Sequence, residues 1–493
     1  MQLEQLLAPL ALWRATGNVK TNITGIEVDS RKVKPGDLFI CLPGFTVDGH
    51  DFAVKAVERG AVAVLAQREV SVHVPVVYVP DTKRAMAVLA DRFFGHPTQH
   101  MKIIGVTGTN GKTTTTYLIE RILGEAGHPT GIIGTIEMRL GDEVREVKNT
   151  TPEALDLQRA FRWMKDKGAE YAAIEVSSHA LDMGRVRGVR FATGVFTNLT
   201  QDHLDYHKTM ENYLQAKGLL FSQLGNEYDN ERMKYAVLNA DDPASETFAR
   251  ITPAQIITYG IRNAADVRAR DILITANGTR LTIDTFVGSM TLTLRMIGNF
   301  NIYNALAATA ACLVEGIPLE QIKATLEKVE GVRGRFERVD AGQDFTVIVD
   351  YAHTPDSLEN VLKTIREFAE GKVYCIVGCG GDRDRTKRPI MASIAARYAD
   401  VAVITSDNPR SEDPKAIIDE MVAGLIADGV NEERYFTRVD RREAIREAIH
   451  RAAPSDVVLI AGKGHETYQI LKDKTIHFDD KEEAYQAILE KKK

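Results

Sequence analysis

Cysteine is scarce in this sequence, with 4 cysteines among 493 residues. Cys375 and Cys379 are separated by three residues, but no second cysteine or histidine pair lies near them to complete a zinc site. Together with Cys41 and Cys312 they are too few and too widely spaced for a disulfide scaffold. The sequence therefore predicts a protein of a reducing compartment.

Long hydrophobic runs and a strong charge of one sign are also missing. No segment reaches the roughly 18 consecutive apolar residues of a membrane-spanning helix. The first residues lack the basic region and the small-residue cleavage site of a signal peptide. The formal net charge of -6 provides no broad basic surface for a nucleic-acid backbone. We therefore expect a cytoplasmic protein that has neither nucleic acid nor integral membrane partners. We also expect a monomer, although none of these features determines the oligomeric state.

The chain does have the length and composition of a multidomain globular protein, being 44% hydrophobic and 26% charged. From residue 100 onward, apolar runs such as MKIIGVTG alternate with helical patterns such as TTTTYLIERILGEAG, which is typical of a parallel α/β sheet. Residues from about 265 to 296 alternate apolar and polar side chains and predict a β-ribbon. We predict an α/β protein of three domains: a first domain of mixed type (1–99), a central doubly wound domain of P-loop ATPase type (100–333), and a C-terminal Rossmann-like domain (334–493).

A glycine-rich loop between a predicted strand and a predicted helix is the strongest local signal. It consists of Gly108, Thr109, Asn110, Gly111, Lys112, Thr113 and Thr114. Glycines allow backbone N–H groups to surround phosphate oxygens at a helix N-terminus. Lys112 is placed to reach the β- and γ-phosphates of ATP, and Thr113 has a hydroxyl for Mg2+. The alternative is a tight turn followed by a surface lysine, but the strand-loop-helix context favours nucleotide binding.

The loop departs from the common P-loop pattern, which has glycine at the position of Val106. TGTNGKTTT instead resembles the phosphate loop of the Mur ligase family and of its relative folylpolyglutamate synthetase. Further segments resemble the Mur ligases in that family's order: EVSSHAL, NLTQDHLDYH, YLQAKGLLF, GNFNIYNALAA, GVRGRFE, VDYAHTPDSL, GCGGDRDRTKRP, SDNPRSEDP and AGKGHE. The resemblance covers nearly the whole chain. It implies that the first domain binds a UDP-sugar, the central domain binds ATP and the C-terminal domain binds an amino acid.

The activity implied by the resemblance is ATP-dependent amide-bond formation in peptidoglycan precursor synthesis. Its members include ligases that add meso-2,6-diaminopimelate to the D-glutamyl residue of UDP-N-acetylmuramoyl-L-alanyl-D-glutamate through an acyl phosphate, forming ADP and phosphate. This sequence is most similar to those members. The expected partners are therefore ATP, Mg2+ and these two substrates.

Magnesium ligands are expected around the phosphate loop. Glu175 ends the apolar run YAAIE, and the carboxyl end of a parallel strand is where such sheets bind ligands, so its carboxylate can hold Mg2+ together with Thr113. By resemblance, His203 binds a second Mg2+. The resemblance also implies that Lys217 is carbamylated, which converts its cation into an oxygen ligand for that metal. A capped surface glutamate, a structural histidine and a solvated lysine are the alternatives.

The resemblance assigns three more residues to ATP. Asn301 contacts the adenine, Asp350 accepts hydrogen bonds from the ribose hydroxyls, and Arg335 binds the γ-phosphate. A guanidinium suits the last role because it can donate two N–H groups to phosphate oxygens and stabilise transferred charge. Lys112, Lys217, His203 and Arg335 form the expected catalytic set. Asn301 could instead be only the N-cap of the helix that follows it.

Two further groups of residues match substrate positions of the family. The UDP-sugar dipeptide is expected to contact Ser30, Asn149, Thr150, Thr151, Ser177 and Arg185. The added amino acid is expected to contact Arg383, Asp407, Asn408, Pro409, Arg410, Gly462 and Glu466. Met183 stands where relatives often have glutamine, which places that one contact in doubt, and polar turn residues are the alternative for Ser30 and for Asn149 to Thr151.

Three other functions remain as alternatives. A sister ligase adds L-lysine, and its distinction from this chain depends on the segment from Asp407 to Arg410. Folylpolyglutamate synthetase has no reason to carry the N-terminal segment DSRKVKPGD. A nucleotide-dependent regulatory protein could keep the phosphate loop without ligation, but it would not need Glu175, His203 and Lys217 together with Arg335.

Overall fold

A computed structural model describes residues 1–44, 47–226, 233–275 and 278–492. The described strands form three large sheets, of five, eleven and six strands, and one two-stranded sheet. Among the described helices, none has both the length and the apolar character that crossing a membrane requires. The predicted α/β fold class is confirmed.

The first sheet lies within the first 78 residues and has the order β1-β5-β4-β3-β2. Its strands are β1 (Arg14–Thr16), β2 (Gly25–Glu27), β3 (Asp37–Ile40), β4 (Ala63–Ala66) and β5 (Val76–Tyr78). The helices beside it are α1 (Leu3–Leu7), α2 (Ala53–Glu58) and α3 (Thr82–Phe93). Strands β3 and β4 are buried along their whole length, as expected for strands covered on both faces.

The eleven-stranded sheet is parallel at its centre, where β6 lies between β10 and β11. The strands are β6 (Lys102–Thr107), β7 (Thr130–Ile133), β8 (Met138–Leu140), β9 (Glu143–Arg145), β10 (Tyr171–Glu175), β11 (Phe191–Phe196), β12 (Tyr235–Asn239), β13 (Gln255–Gly260), β14 (Val267–Thr275), β15 (Gly278–Thr285) and β16 (Gly288–Leu294). The helices are α4 (Lys112–Glu125), α5 (Ala154–Asp166), α6 (Ser178–Asp182), α7 (Leu204–His207), α8 (Met210–Ser222), α9 (Ala244–Ile251), α10 (Asn299–Val314) and α11 (Leu319–Lys328). The carboxyl ends of β6 and β10 therefore lie side by side, which brings the phosphate loop next to Glu175.

The predicted β-ribbon consists of β14, β15 and β16, which pair antiparallel with one another. It does not stand alone, because β14 also pairs with β13 and continues the central sheet. Helix α10 packs on this sheet with almost its whole length buried. The hydrophobic period of NIYNALAATAACLVEG therefore belongs to a core helix of the central domain.

The C-terminal sheet has the order β17-β18-β22-β19-β20-β21 and is parallel except for β17. Its strands are β17 (Glu337–Val339), β18 (Thr346–Asp350), β19 (Val373–Val377), β20 (Val401–Thr405), β21 (Tyr435–Arg438) and β22 (Val457–Ala461), followed by the hairpin of β23 (Tyr468–Ile470) and β24 (Thr475–His477). The helices are α12 (Pro355–Phe368), α13 (Lys387–Tyr398), α14 (Pro414–Ala427), α15 (Arg441–Arg451) and α16 (Asp480–Lys491). The segments 407–410 and 462–466 follow β20 and β22 at the carboxyl edge of this sheet.

A fully buried ion pair supports that edge. Arg441, the first residue of α15, donates through Nε and Nη2 to the two carboxylate oxygens of Asp480, both at 2.7 Å, and neither side chain is exposed to solvent. Arg441 Nη2 also donates to the carbonyl of Ala461 at 3.0 Å. The pair therefore joins α15 and α16 to the end of β22.

We expect Asp480→Ala to destabilise the C-terminal domain by about 3–5 kcal/mol, because it leaves the Arg441 guanidinium buried without its counter-ion. Asp419→Ala is the matched control, since the Lys415–Asp419 pair is exposed and contributes about 0.3–0.5 kcal/mol. Urea denaturation followed by far-UV circular dichroism measures the change in the free energy of unfolding for both variants. Equal midpoints for the two variants would contradict the structural role of the pair.

Candidate functional site

A cleft with a volume of ≈ 1630 Å³ lies between the central and C-terminal domains. It brings together most of the residues predicted from the sequence. Those that line it are Thr109, Asn110, Gly111, Lys112, Thr113, Thr114, Asn149, Thr150, Glu175, Ser177, Arg185, His203, Arg335, Asp350, Arg383, Arg410 and Glu466. The predicted residues outside its lining are Ser30, Gly108, Thr151, Lys217, Asn301, Asp407, Asn408, Pro409 and Gly462.

The phosphate loop needs both of its glycines. Gly108 has φ +151, and a Cβ there would lie 1.8 Å from Thr197 Oγ1. Gly111 has φ +84, and a Cβ there would lie 2.3 Å from Asn304 Oδ1. The loop therefore leaves no room for side chains at either position, and its backbone turns directly into α4 at Lys112.

The Lys112 side chain folds back over the loop. Its Nζ donates to the carbonyls of Gly108 at 2.9 Å and Thr109 at 2.8 Å. Burial lowers the pKa of Lys112, and the nearby Glu175 opposes that effect. The ammonium thus lies at the centre of the loop, where a phosphate group held by the loop would meet it.

The Thr113 hydroxyl joins three parts of the structure. It donates to Glu175 Oε2 at 3.0 Å and accepts from Arg335 Nη2 at 3.1 Å. The Glu175 carboxylate also accepts from the backbone N–H and the hydroxyl of Thr135, at 2.8 and 3.0 Å. Thr113, Glu175 and Arg335 therefore meet at the phosphate loop although they come from α4, β10 and the segment that precedes β17.

Lys217 is buried in α8 and reaches the phosphate loop from behind. Its Nζ donates to the Gly108 carbonyl at 2.7 Å and lies 4.4 Å from the centre of the Tyr213 ring. Burial, together with the neighbouring charge of Lys112, holds the pKa of Lys217 well below its usual value. A lowered pKa increases the fraction of the neutral amine, which is the form that reacts with CO2.

His203 is exposed to the cleft and adopts a left-handed backbone conformation with φ 55. Its ring lies 6.1 Å from that of Tyr213 and 4.8 Å from that of His179, measured between centroids. A non-glycine residue in this conformation is uncommon and is often found at functional sites. His203 and Lys217 thus both contact Tyr213, next to the phosphate loop.

The residues predicted for ATP lie at different depths. Asp350 ends β18 at the cleft, where it accepts from the Phe336 N–H at 2.6 Å, and burial raises its pKa to about 6. Asn301 lies behind the cleft wall and donates to the Ile297 carbonyl at 3.0 Å. The N-cap of α10 is Gly298, so the alternative that Asn301 caps this helix is wrong.

The residues predicted for the UDP-sugar dipeptide cluster next to Glu175. The Thr151 hydroxyl donates to the Glu175 carbonyl at 2.8 Å and accepts from the Ser177 N–H at 3.1 Å. Arg185 donates to the Thr151 carbonyl at 3.2 Å and to the sulfur of Met183 at 3.7 Å. Met183, which stands where relatives often have glutamine, therefore contacts Arg185 directly. Ser30 is half-buried in the first domain and is not among the residues that line the cleft.

The segment after β20 places Arg410 at the end of the cleft that the C-terminal domain lines. Arg410 has a left-handed backbone with φ 52, and its Nη1 donates to the Gly381 carbonyl at 2.8 Å. Glu466 lines the same end, and Arg383 is exposed there. Asp407 is half-buried, and its Oδ1 accepts from the Asn408 N–H at 2.6 Å. This end of the cleft thus presents cationic guanidinium groups and one carboxylate.

Two residues in the quoted motifs were missed by the sequence analysis. His179 lines the cleft and lies 4.3 Å from the Tyr206 ring. Asp356, at the start of α12, accepts from Asn110 Nδ2 at 3.0 Å and from the Thr200 hydroxyl at 2.8 Å. EVSSHAL and VDYAHTPDSL contain these residues, but nothing in their local pattern indicated contacts that join distant segments.

The fold and site together define a three-domain α/β protein with a phosphate loop that faces a second α/β domain across a cleft. Family models match the chain in three segments: "Mur ligase family, catalytic domain" over 22–94, "Mur ligase middle domain" over 106–312 and "Mur ligase, glutamate ligase domain" over 334–464. The chain is 58% identical over 494 residues to the UDP-N-acetylmuramoyl-L-alanyl-D-glutamate--2,6-diaminopimelate ligase of Geobacillus thermodenitrificans, covering 100% of both chains.

Solved structures agree with this assignment. A structure of a UDP-N-acetylmuramoyl-L-alanyl-D-glutamate--2,6-diaminopimelate ligase superposes with a TM-score of 0.71 at 32% identity, covering 100% of this chain and 99% of that one. The MurF ligase from Thermotoga maritima in complex with ADP shares the fold, with a TM-score of 0.65 at 18% identity and coverage of 96% and 97%. The chain therefore belongs to the Mur ligase family, a family of ATP-dependent ligases.

We expect Lys112→Ala to lower turnover by at least about 100-fold, because it removes the ammonium at the centre of the phosphate loop. Its melting temperature should stay near that of the wild type, since the side chain contacts only loop carbonyls. Phosphate release at saturating ATP measures the effect. Wild-type turnover in this variant would show that the loop does not bind the reacting phosphate.

Proposed function

We propose that this chain adds meso-2,6-diaminopimelate to the D-glutamyl residue of UDP-N-acetylmuramoyl-L-alanyl-D-glutamate, with ATP converted to ADP and phosphate. The observation that carries the proposal is a single cleft that is lined both by the phosphate loop and, from the C-terminal domain, by Arg410 and Glu466. Relatives similar over their full length carry the name of this activity. The reaction supplies a peptidoglycan precursor.

In the first step the D-glutamyl side-chain carboxylate, which is ionised at neutral pH, attacks the γ-phosphorus of ATP. An O–P bond forms, the bond to ADP breaks, and an acyl phosphate results. No base is needed because the nucleophile carries no proton. Lys112 and Arg335 offset the repulsion between the two anions, since both cations lie against the phosphate loop.

In the second step the amine of the amino acid attacks the acyl carbon. A C–N bond forms, phosphate leaves, and the amine gives up a proton. The acyl phosphate must be kept from water until the amine arrives. Asp356 supports this requirement, because its hydrogen bonds to Asn110 and Thr200 hold the C-terminal domain against the phosphate loop.

Mg2+ fits the chain's residues at the phosphate loop. Thr113 and Glu175 provide a hydroxyl and a carboxylate 3.0 Å apart, the oxygen donors that Mg2+ prefers. In residues 1–44, 47–226, 233–275 and 278–492 no group of three or more His, Cys, Asp or Glu side chains is arranged to hold a metal. A pair of protein ligands suits Mg2+, which is commonly bound by one or two carboxylates plus substrate phosphates. When bound, Mg2+ would neutralise charge on the phosphate oxygens.

The other predicted residues are assigned to individual substrates according to their positions. Asp350 is proposed for the ribose, Asn301 for the adenine side, and Ser30 with the cluster around Thr151 for the UDP-sugar dipeptide. His203 and a carbamylated Lys217 are proposed to provide the second magnesium site. We also propose that the protein is cytoplasmic, which is supported by four cysteines that are all buried free thiols, and that it is a monomer.

Lys217→Ala should be inactive and should regain part of its activity in added short-chain carboxylic acids. A free carboxylate can occupy the space of the proposed carbamate and restore an oxygen ligand. Activity in an acetate or propionate series at constant ionic strength measures this rescue. Lys112→Ala serves as the control that carboxylates should not rescue. An unmodified Lys217 ammonium in a high-resolution structure of the active, Mg-bound enzyme would contradict the proposal.

The wild type should use meso-diaminopimelate and discriminate against L-lysine by roughly 10^4, because a site with polar groups for a carboxylate leaves them unpaired when that carboxylate is absent. The Arg410 guanidinium can donate two N–H groups to the distal carboxylate, which lysine lacks. Comparable kcat/KM values for the two amino acids would overturn the specificity while leaving the ligase assignment intact.

Arg410→Ala should lose activity with meso-diaminopimelate mainly through a higher KM for the amino acid. Its KM for ATP should be unchanged, since the side-chain hydrogen bonds of Arg410 within the described part of the chain go to the Gly381 and Asn408 carbonyls and not to the phosphate loop. Initial rates with each substrate varied in turn measure the two constants. A lower kcat with unchanged KM for the amino acid would assign Arg410 a different role.

A further inference from the structure

Lys463 has no role in the function proposed above, yet its side chain is completely buried beside the amino-acid end of the cleft. It follows β22, between Gly462 and Gly464. Its Nζ donates to Glu466 Oε2 at 3.0 Å and to Asn408 Oδ1 at 3.3 Å. A lysine is almost never fully buried unless it is paired, so this ammonium has a specific counter-ion in Glu466.

Lys463 also determines how the Asn408 amide is oriented. Asn408 Oδ1 accepts from Lys463 and from the Ile470 N–H at 2.9 Å, so the oxygen faces two donors. The amide nitrogen is thereby directed to Glu466 Oε2, to which it donates at 2.9 Å. Both acceptor positions of the Asn408 oxygen are occupied inside the protein. Asn408 therefore holds Glu466 and is not free to accept a hydrogen bond from a substrate.

Glu466 is held through one of its two oxygens. Lys463 and Asn408 both donate to Oε2, and no hydrogen bond within the described part of the chain involves Oε1. The Glu466 side chain is 16% exposed and lines the cleft. Lys463 and Asn408 thus hold the Glu466 carboxylate through Oε2, and Oε1 is available to a ligand in the cleft.

The charges at this end of the cleft explain what the arrangement selects. Lys463 neutralises Glu466, while Arg383 and Arg410 remain as cations that line the cleft. An amino acid with a lone distal ammonium would meet a neutral pair and two like charges; the half-buried Asp407 carboxylate is a further charge nearby but does not line the cleft. One whose distal carbon carries both an ammonium and a carboxylate can contact Glu466 and a guanidinium at once.

We propose that Lys463 is a positioning and specificity-determining residue: it fixes Glu466 and Asn408 and reduces the attraction of Glu466 for a lone ammonium. The pocket thereby favours a diamino acid with a zwitterionic distal end over one with an amine alone. This inference rests on the proposed function, because it concerns the amino acid that the ligase adds.

The test compares kcat/KM for meso-diaminopimelate and for L-lysine in full-length wild type, Lys463→Met and Lys463→Arg. In Lys463→Met the KM for meso-diaminopimelate should rise by about tenfold or more, because Glu466 and Asn408 lose the donor that positions them. The preference over lysine should fall by at least about tenfold, because Glu466 is left with an uncompensated charge that attracts a lone ammonium. The KM for ATP should not change. Lys463→Arg keeps the charge and should restore much of the preference.

Lys472→Met is the matched control, since Lys472 is an exposed lysine in the turn between β23 and β24, and it should behave as the wild type. A double-mutant cycle with Glu466→Gln tests whether Lys463 acts through Glu466. In that background Lys463→Met should change the preference by less than about threefold, because the coupled partner is already gone.

The outcomes separate this inference from the proposed function. If the wild type used neither amino acid, the proposed function would fail. If the wild type preferred meso-diaminopimelate and Lys463→Met kept the full preference, only the role of Lys463 would be rejected. Should Lys463→Met unfold, Lys463→Gln takes its place in this comparison. Additive effects in the cycle would also reject it, since they would show that Lys463 acts independently of Glu466.

Discussion

The hydroxyl group of Thr113 connects the parts of the site. Thr113 donates to Glu175 and accepts from Arg335, so the start of α4, the end of β10 and the entry to the C-terminal domain meet at a single oxygen. The Glu175 carboxylate is buried and is satisfied by hydrogen bonds rather than by water. Because charged groups in such a place are costly without partners, the contact constrains where the C-terminal domain can sit relative to the phosphate loop.

Apolar packing supports the same arrangement between domains. The rings of Phe300 in α10 and Phe336 before β17 lie 5.4 Å apart, and the C-terminal core includes Ile297 of the central domain. The first domain is joined in a similar way, since Ala154 and Leu155 of α5 belong to its core cluster. The cleft is therefore formed by domains whose cores are continuous across their boundaries, and polar contacts such as Asp356 with Asn110 complete its closure.

Buried charges are concentrated beneath the part of the cleft that is proposed to bind the amino acid. Arg441 with Asp480, and Lys463 with Glu466, place two cations next to the ends of β20 and β22. Buried ion pairs contribute little net stability compared with apolar residues of the same size. Their value here is geometric, because each pair fixes loops that would otherwise be free to move, and a pocket that distinguishes similar amino acids needs fixed polar groups.

The sequence by itself determined the α/β class and the phosphate loop. The residues of that loop are adjacent in the chain, so glycines followed by a lysine between a strand and a helix could be found from the local pattern alone. The network of Lys463, Asn408 and Glu466 could not be predicted in this way. Asn408 and Lys463 are 55 positions apart and follow β20 and β22, which are separated by β19 in the sheet. Only strand order and packing bring them together, because contacts between distant segments depend on the whole topology and leave no periodic pattern in the sequence.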